Sequence, residues 1–289
     1  MTMMLPNTKD TLQMKRLICY MEEEKFAPEV YREQMEHVRR LAQTFGQVFY
    51  LQQENAEELF ALGDARQSLC LTTSPEVAGQ MQGLGIAVVG FSADTQELMQ
   101  APYVVLGLEE VTHEDLIRVY QRWHHLPWKI LETKRCLVRE FAMEDLDALF
   151  ELYDQPHLSD YIEPLYPYEQ EMQYEQNYIQ HVYGFYGFGM WLVFDKNTGQ
   201  LIGRAGVEHR EPCGEAEVEL GYVIRPERWR QGYATEVCRA IIAYARERLC
   251  MERVLCRVHR DNEPSICFLT KLGFEKVSDG EEWIFSYTL

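Results

Sequence analysis

Two α/β domains in tandem are what the sequence predicts: a small parallel-sheet unit over residues 1–130 and a mixed-sheet unit, closer to α+β, over residues 134–289. Three observations predict it. The first 130 residues alternate short, wholly apolar runs with helical patterns, as expected of strands buried on both faces and joined by crossover helices. The second half changes rhythm, with neighbouring strands joined by tight turns such as Asp195-Lys196-Asn197-Thr198-Gly199. At 289 residues the chain is too long for one small core and suits two domains.

Bulk chemistry narrows the partners. A formal net charge of -18 argues against nucleic acid, whose phosphates need Lys and Arg to neutralise them, and suits a cationic partner better. Cys19, Cys70, Cys136, Cys213, Cys238, Cys250, Cys256 and Cys267 form no C-x-x-C pair. They are expected as buried thiols in a reducing cytoplasm. The His residues are scattered, so no metal site is expected. No apolar h-region follows Met1 and no run of ~18 apolar residues occurs, so neither a signal peptide nor a membrane span is expected.

In the first domain, residues 1–12 are polar and expected to fray. From Lys15 to Ala42, Leu17, Tyr20, Met21 and Phe26, then Val30, Met35, Val38 and Leu41, suggest two helices broken near Ala27-Pro28. A strand is expected at Gln47–Leu51, and a helix capped by Asn55 and stopped at Gly63. Ser68–Thr73 is a buried strand, Ser74-Pro75-Glu76 an N-cap with Pro at the first helical position, and the helix runs to Gly83. Strand Ile86–Gly90, helix Asp94–Met99, strand Tyr103–Leu106 and a helix opened by Thr112 or His113 complete the unit. His124 and His125 are expected in an extended segment, pointing to opposite sides, with the boundary near Lys129–Lys134.

The run from Thr72-Thr73-Ser74 through Gly83-Leu84-Gly85-Ile86-Ala87-Val88-Val89-Gly90 to Ala101-Pro102-Tyr103-Val104-Val105 resembles the later part of a haloacid-dehalogenase-type Rossmann core, over about residues 67–120. Such hydrolases carry an Asp-x-Asp nucleophile motif that this half lacks; Asp64 and Asp94 have no partner at that spacing. The resemblance therefore implies a non-catalytic, Rossmann-like domain. Its Thr72, Thr73 and Ser74 either hold an anion or serve as plain cap and turn residues. It is expected to regulate, bind substrate or dimerise, a homodimer being one such arrangement.

In the second domain, Cys136–Arg139 is a strand and Met143–Tyr153 a helix; a Pro- and Tyr-rich loop follows over Gln155–Tyr168, then a helix over Glu169–Tyr183. Gly187–Phe194 and Gln200–Glu208 form a hairpin, and Pro212-Cys213-Gly214 turns into the strand Glu215–Ile224. Helix Thr235–Leu249, strand Arg253–His259, helix Pro264–Leu272 and the strands Phe274–Ser278 and Trp283–Tyr287 close the chain.

Between that fourth strand and its helix lies Arg225-Pro226-Glu227-Arg228-Trp229-Arg230-Gln231-Gly232-Tyr233-Ala234-Thr235-Glu236. A turn carrying Gly and basic side chains at a helix N-terminus suits an anion, because the first helical N–H groups have no intrahelical partner and the dipole favours negative charge.

With Glu219-Leu220-Gly221-Tyr222-Val223-Ile224 before it, and Asn262-Glu263-Pro264-Ser265 and Lys271-Leu272-Gly273-Phe274 after it, this stretch resembles the GNAT superfamily of acetyl-CoA-dependent N-acetyltransferases over about residues 134–289. The Trp-x-x-Gly-Tyr-Ala-Thr-Glu and Asn-x-x-Ser forms look like the branch that acetylates N-terminal amines of ribosomal proteins. One departure is Trp229, where the superfamily usually has Gln or Arg. The resemblance implies a GNAT mixed-sheet fold. CoA pyrophosphate would rest on the amides of Gln231, Gly232, Tyr233, Ala234 and Thr235 with Arg230 adding charge, although Arg228 and Arg230 also read as solvated surface cations. The pantetheine arm would lie along the strand, where backbone N–H near Val223 or Ile224 polarises the thioester oxygen.

Direct transfer to an amine also needs a proton acceptor. Glu217 and Glu219 share a strand face, as an active-site row or an exposed one; Glu219 is the base the resemblance favours, and Glu217 is placed with the substrate. Leu269 stands where many relatives have a thiolate-stabilising Tyr, so Ser265 takes that role, with Asn262 orienting water or the CoA arm; a turn Asn and a first-turn Ser are the bland alternatives. The acceptor region carries Asp154, Asp160, Glu163, Glu169, Glu171 and Glu175 beside Tyr161, Tyr166, Tyr168, Tyr174 and Tyr178. It either draws a cationic amine, with Tyr161 and Tyr166 as contacts, or is a solvated acidic helix. The rival to an enzyme is a non-catalytic sensor of CoA or another ligand, or an interaction protein, whose first half holds a ligand or partner and whose acetyltransferase fold is idle.

Overall fold

The computed structural model describes residues 13–45, 47–50, 65–92, 101–210 and 217–289 and divides into two compact units, Met1–Leu126 and Pro127–Leu289. The expectations for residues 1–12, for Asn55–Gly63, for Asp64 and Asp94–Met99, and for Pro212-Cys213-Gly214 fall outside the described residues.

The first unit runs β1 (Arg16–Tyr20), α1 (Pro28–Ala42), β2 (Gln47–Tyr50), β3 (Ser68–Thr72), α2 (Pro75–Gly83), β4 (Ala87–Phe91), β5 (Val104–Val105) and α3 (His113–Trp123). The five strands form one parallel sheet in the order β2-β1-β3-β4-β5, an order met in doubly wound folds. Alternation along the strands builds two cores: Leu17, Cys19, Leu69 and Leu71 pack with Val38, Leu41, Leu116 and Tyr120, while Ile18, Cys70 and Val88 pack with Ala78 and Met81. Helices therefore cover both faces.

The helix expected from Lys15 is a correction: residues 16–20 are a central strand. Leu17, Ile18 and Cys19 are all buried, the mark of a strand covered on both sides, and the helical spacing of Leu17, Tyr20 and Met21 is incidental. The second half of that expectation stands as α1, with Pro28 in its first turn. A second correction concerns His124 and His125, which end α3 instead of lying extended: the His124 ring sits 4.6 Å from that of Tyr120, and His125 has φ +56°.

The hydroxyls at the end of β3 are taken up locally. Thr72 Oγ1 accepts from Ser74 N (3.0 Å), Thr73 Oγ1 from Glu22 N (2.9 Å), and Ser74 Oγ caps α2 through Val77 N (3.5 Å). Ser74→Ala removes that cap and is expected to destabilise the chain by about 1 kcal/mol, read as a lower midpoint for the earlier transition in a thermal melt.

The second unit runs β6 (Lys129–Glu132), β7 (Cys136–Arg139), α4 (Leu146–Tyr153), α5 (Tyr168–Asn177), a π-helical segment Tyr178–Tyr183, α6 (Gly184–Tyr186), β8 (Met190–Asp195), β9 (Leu201–Arg210), β10 (Glu217–Ile224), α7 (Tyr233–Glu247), β11 (Arg253–His259), α8 (Glu263–Leu272), β12 (Glu275–Ser278) and β13 (Glu282–Thr288). Its eight strands lie in the order β12-β13-β11-β10-β9-β8-β7-β6, antiparallel except for β10 beside β11. The stretch expected as a domain boundary contains β6, an edge strand with Ile130 alone buried, too short and polar to announce itself.

The sheet has two differently built faces. Trp191 meets Tyr244 of α7 (5.7 Å) and Tyr222 meets Phe268 of α8 (4.8 Å) on one. On the other, Arg204 and Glu208 of β9 meet Glu175 and Tyr178. The π-helical widening turns Tyr178 and Tyr183 inward: Tyr178 Oη accepts from Met190 N (2.8 Å) and Tyr183 Oη donates to Met190 O (2.5 Å). Among the described residues no helix is long and apolar enough to cross a membrane.

Candidate active site

Strand β10 pairs with β9 along its whole length, Glu217 to Ile224, but meets its parallel neighbour β11 at Glu219↔Leu255 alone. Past that point the two strands diverge. The edge of β10 facing β11 is left without a ladder from Leu220 to Ile224, the segment holding Val223 and Ile224. An extended, amide-bearing chain fits such an edge as an added strand.

The gap runs to the turn before α7. Pro226–Arg228 forms one 3-10 turn, Arg230 (φ +57°) and Gly232 (φ +80°) take left-handed backbone, and Gly232 stands at the N-cap with no side-chain cap. The N–H groups of Tyr233, Ala234 and Thr235 therefore begin the helix without intrahelical partners. Of the two basic side chains in the turn, Arg228 pairs with buried Asp195 (3.2 Å), while exposed Arg230 has no ion-pair partner among the described residues. Gln231 Nε2 donates to Glu227 O (2.6 Å), tightening the turn.

Arg135, in the turn between β6 and β7, was not foreseen here. Its guanidinium lies 3.9 Å from the Tyr233 ring centroid, donates to Gln231 O (2.9 Å) and pairs with Glu236 (2.7 Å). Hydrogen bonding to Glu236 holds the Arg135 charge firmly. Nothing local in the sequence joins residue 135 to residue 232; only the antiparallel closing of β6 on β7 aims it there.

At the start of α8, Asn262 Oδ1 caps the helix through Ser265 N (3.2 Å), so the turn-residue reading of Asn262 holds for its carbonyl oxygen. Ser265 Oγ lies 2.5 Å from Tyr222 Oη. Leu269, in the place of the missing Tyr, is fully buried core. Burial raises the ionisation of the Tyr222 phenol well above its usual range, with Cys256 nearby adding to it.

The acidic row is where structure and expectation part most. Glu217 and Glu219 do share a face, but arginines engage both. Glu219 bonds Arg257 through one oxygen and pairs with Arg210 (3.4 Å) through the other, while Glu217 pairs with Arg253 (3.4 Å) and Arg257 (3.7 Å). Directly opposite Glu219 across the ladder stands Glu208. It accepts a hydrogen bond from the Tyr178 hydroxyl at one oxygen (2.7 Å), and among the described residues its other oxygen has no partner. A lone Glu at a strand end offers no sequence signal for this.

The tyrosines form a line leading to it. Tyr166 lies 5.7 Å from Tyr174 and Tyr174 5.9 Å from Tyr178, ring to ring. Burial, with the Glu208 carboxylate second, pushes the Tyr174 phenol up to about 12. Tyr161 lies beyond this line, its hydroxyl donating to Asp261 O (3.1 Å) just past β11 and its ring 6.0 Å from His259.

Two of the acids expected in a solvated or substrate-facing row are internal instead. Glu175 pairs with buried Arg204 (2.8 Å), and Glu171 accepts from Tyr166 N (2.8 Å). Burial works against the Arg204 charge, but the Glu175 carboxylate together with Tyr153, Tyr183 and Tyr178 outweighs it, so the charge is held. Among the described residues no group of three or more His, Cys, Asp or Glu could hold a metal ion. Cys250 and Cys267 are exposed, contrary to the expectation of buried thiols; Cys19, Cys70, Cys136, Cys238 and Cys256 are buried, and Cys213 lies outside the described residues.

Comparison with known proteins gives matches to the second half of the chain. The family model described as an acetyltransferase (GNAT) domain matches residues 135–275. An uncharacterized N-acetyltransferase, YoaA of Bacillus subtilis, is 32% identical over 149 residues, covering 51% of this chain and 83% of that protein. Among solved structures, an acetyltransferase from Agrobacterium tumefaciens is 24% identical with a TM-score of 0.47, covering 55% of this chain and 94% of that one. A putative ribosomal-protein-serine acetyltransferase from Vibrio cholerae is 20% identical with a TM-score of 0.45, covering 56% and 98%.

Proposed function

Because the chain belongs to the GNAT acetyltransferase family, we propose that it transfers acetyl directly from acetyl-CoA to a primary amine, with no covalent enzyme intermediate. The observation that carries this is the parting of β10 from β11 after Glu219, opening toward a helix start whose N–H groups are uncapped. A pyrophosphate at Gly232–Thr235, with Arg230 and Arg135 nearby, aims the pantetheine arm along Leu220–Ile224. Backbone N–H at Val223 or Ile224 then polarises the thioester oxygen.

The amine must shed a proton before it attacks. Glu219 is the family's position for that work, but its oxygens are both held by arginines. Glu208, on the same face with a free oxygen at the end of the tyrosine line, is the better placed acceptor, directly or through a water. Tyr161, Tyr166 and the surrounding acids suit a cationic amine, either a small one or a protein N-terminus as in the branch its motifs resemble. The buried thiols suit a cytoplasmic setting.

Titrating the protein with acetyl-CoA in a calorimeter is expected to show one site, and incubation with a panel of amines to release free thiol. Absence of CoA binding would falsify the proposal. A CoA-binding sensor on the same fold is the second reading, favoured by the arginine pairing of Glu217 and Glu219; it requires binding without thiol release for every amine tried.

A further inference from the structure

Tyr222 has a role that the motifs do not assign. Its side chain leaves β10 on the α7–α8 face, opposite to Glu217 and Glu219, and reaches the first turn of α8, where its hydroxyl lies 2.5 Å from Ser265 Oγ. The contact spans the gap at the place where β10 and β11 have parted. Phe268 flanks the Tyr222 ring at 4.8 Å, and both hydroxyl-bearing residues are half-buried, neither sealed nor bathed in solvent.

We infer that Tyr222 is a positioning residue for thiolate departure: its O–H donates to Ser265 Oγ and so turns the Ser265 proton toward the leaving sulfur. This rests on the acetyl-transfer reading above. As the amine nitrogen closes on the thioester carbon and the C–S bond breaks, the electron pair moves to sulfur, which accepts a hydrogen bond from Ser265. Neither hydroxyl gives up its proton. The amine proton goes to a carboxylate on the opposite face, and the thiolate takes a proton from water after release. A thiol near pH 8.5 in its ordinary titration needs stabilising as it leaves, not full protonation. A phenol held protonated by burial suits a donor in a fixed relay better than an acid. Without Tyr222, a serine hydroxyl turns freely and satisfies the nearest backbone carbonyl instead.

Tyr222→Phe, Ser265→Ala and the double variant test this in the intact chain. With an acetyl-accepting amine, Tyr222→Phe is expected to lower kcat about tenfold, with the Kd for acetyl-CoA unchanged, and Ser265→Ala to lower it further. Tyr222→Phe should cost nothing more in the Ser265→Ala background. A second measurement needs no acceptor: the thiol of bound CoA, titrated by thiolate absorbance, is expected to ionise at lower pH in the unsubstituted protein than in either variant. The inference is overturned by an unchanged kcat or thiol titration in Tyr222→Phe, or by a full additional loss in the double variant. Should no amine be acetylated, the acetyl-transfer reading falls, and the thiol titration still decides the dyad.

Discussion

Gly232→Val is expected to raise the Kd for acetyl-CoA about a hundredfold, ~2.7 kcal/mol, in a protein that still folds. Gly232 holds φ +80° at the N-cap of α7, a conformation that costs a residue with Cβ ~1–2 kcal/mol and a β-branched one more. The backbone relaxes out of that strain by turning the peptide planes on either side, and these carry the N–H groups that would meet a pyrophosphate. Space is not the main obstacle, because a Cβ there stands 3.5 Å from Arg135 Nη2, an ordinary contact with the end of a flexible chain. Gly232→Ala, with the same φ and less bulk, is expected to fall between the two. Calorimetry with acetyl-CoA, beside a thermal melt of each variant, separates lost binding from lost fold. An unchanged Kd in a folded Gly232→Val protein would remove the anion role from this turn.

The same turn shows how much of the molecule was legible in the sequence. Arg253–His259 is a strand as expected, and the helix starts at Tyr233 and Glu263 fall within two residues of expectation, because caps, turns and alternation are written locally. Residues 16–20 misled because an apolar run short enough for a strand also carried helical spacing, and only the neighbours on both sides decide between them. The site is less legible than the fold. Ser265 and the Gly232 turn are motif positions, yet what they touch comes from afar: Arg135 reaches the turn from a β-hairpin, and Tyr222 reaches Ser265 across the gap between strands. The acids show the same limit. Glu171, Glu175 and Glu169 look alike on a helix, yet the first two are internal, Glu171 accepting from Tyr166 N and Glu175 pairing with buried Arg204.

Glu208→Gln and Glu219→Gln are expected to part company. Both residues are carboxylates on one face, paired across β9 and β10, and like charges so placed repel. Arg210 and Arg257 answer that repulsion at Glu219, which leaves Glu219 bound to its partners and Glu208 open to a substrate proton. Glu208→Gln keeps the shape and the Tyr178 hydrogen bond but cannot take up a proton. The expected result is a loss of about a hundredfold in kcat/KM, with the acid limb of its pH profile abolished and the melting temperature little changed. Glu219→Gln removes the counter-charge of Arg257. Its expected result is the reverse: a lower melting temperature, with kcat/KM reduced less than in Glu208→Gln and the acid limb retained. If Glu219→Gln instead abolishes the acid limb while Glu208→Gln leaves it in place, the proton goes to the β10 carboxylate after all, and the arginine pairs must open when substrate binds. Either result identifies which face-sharing glutamate does chemistry, since a structural carboxylate moves the melt and a base moves the pH profile.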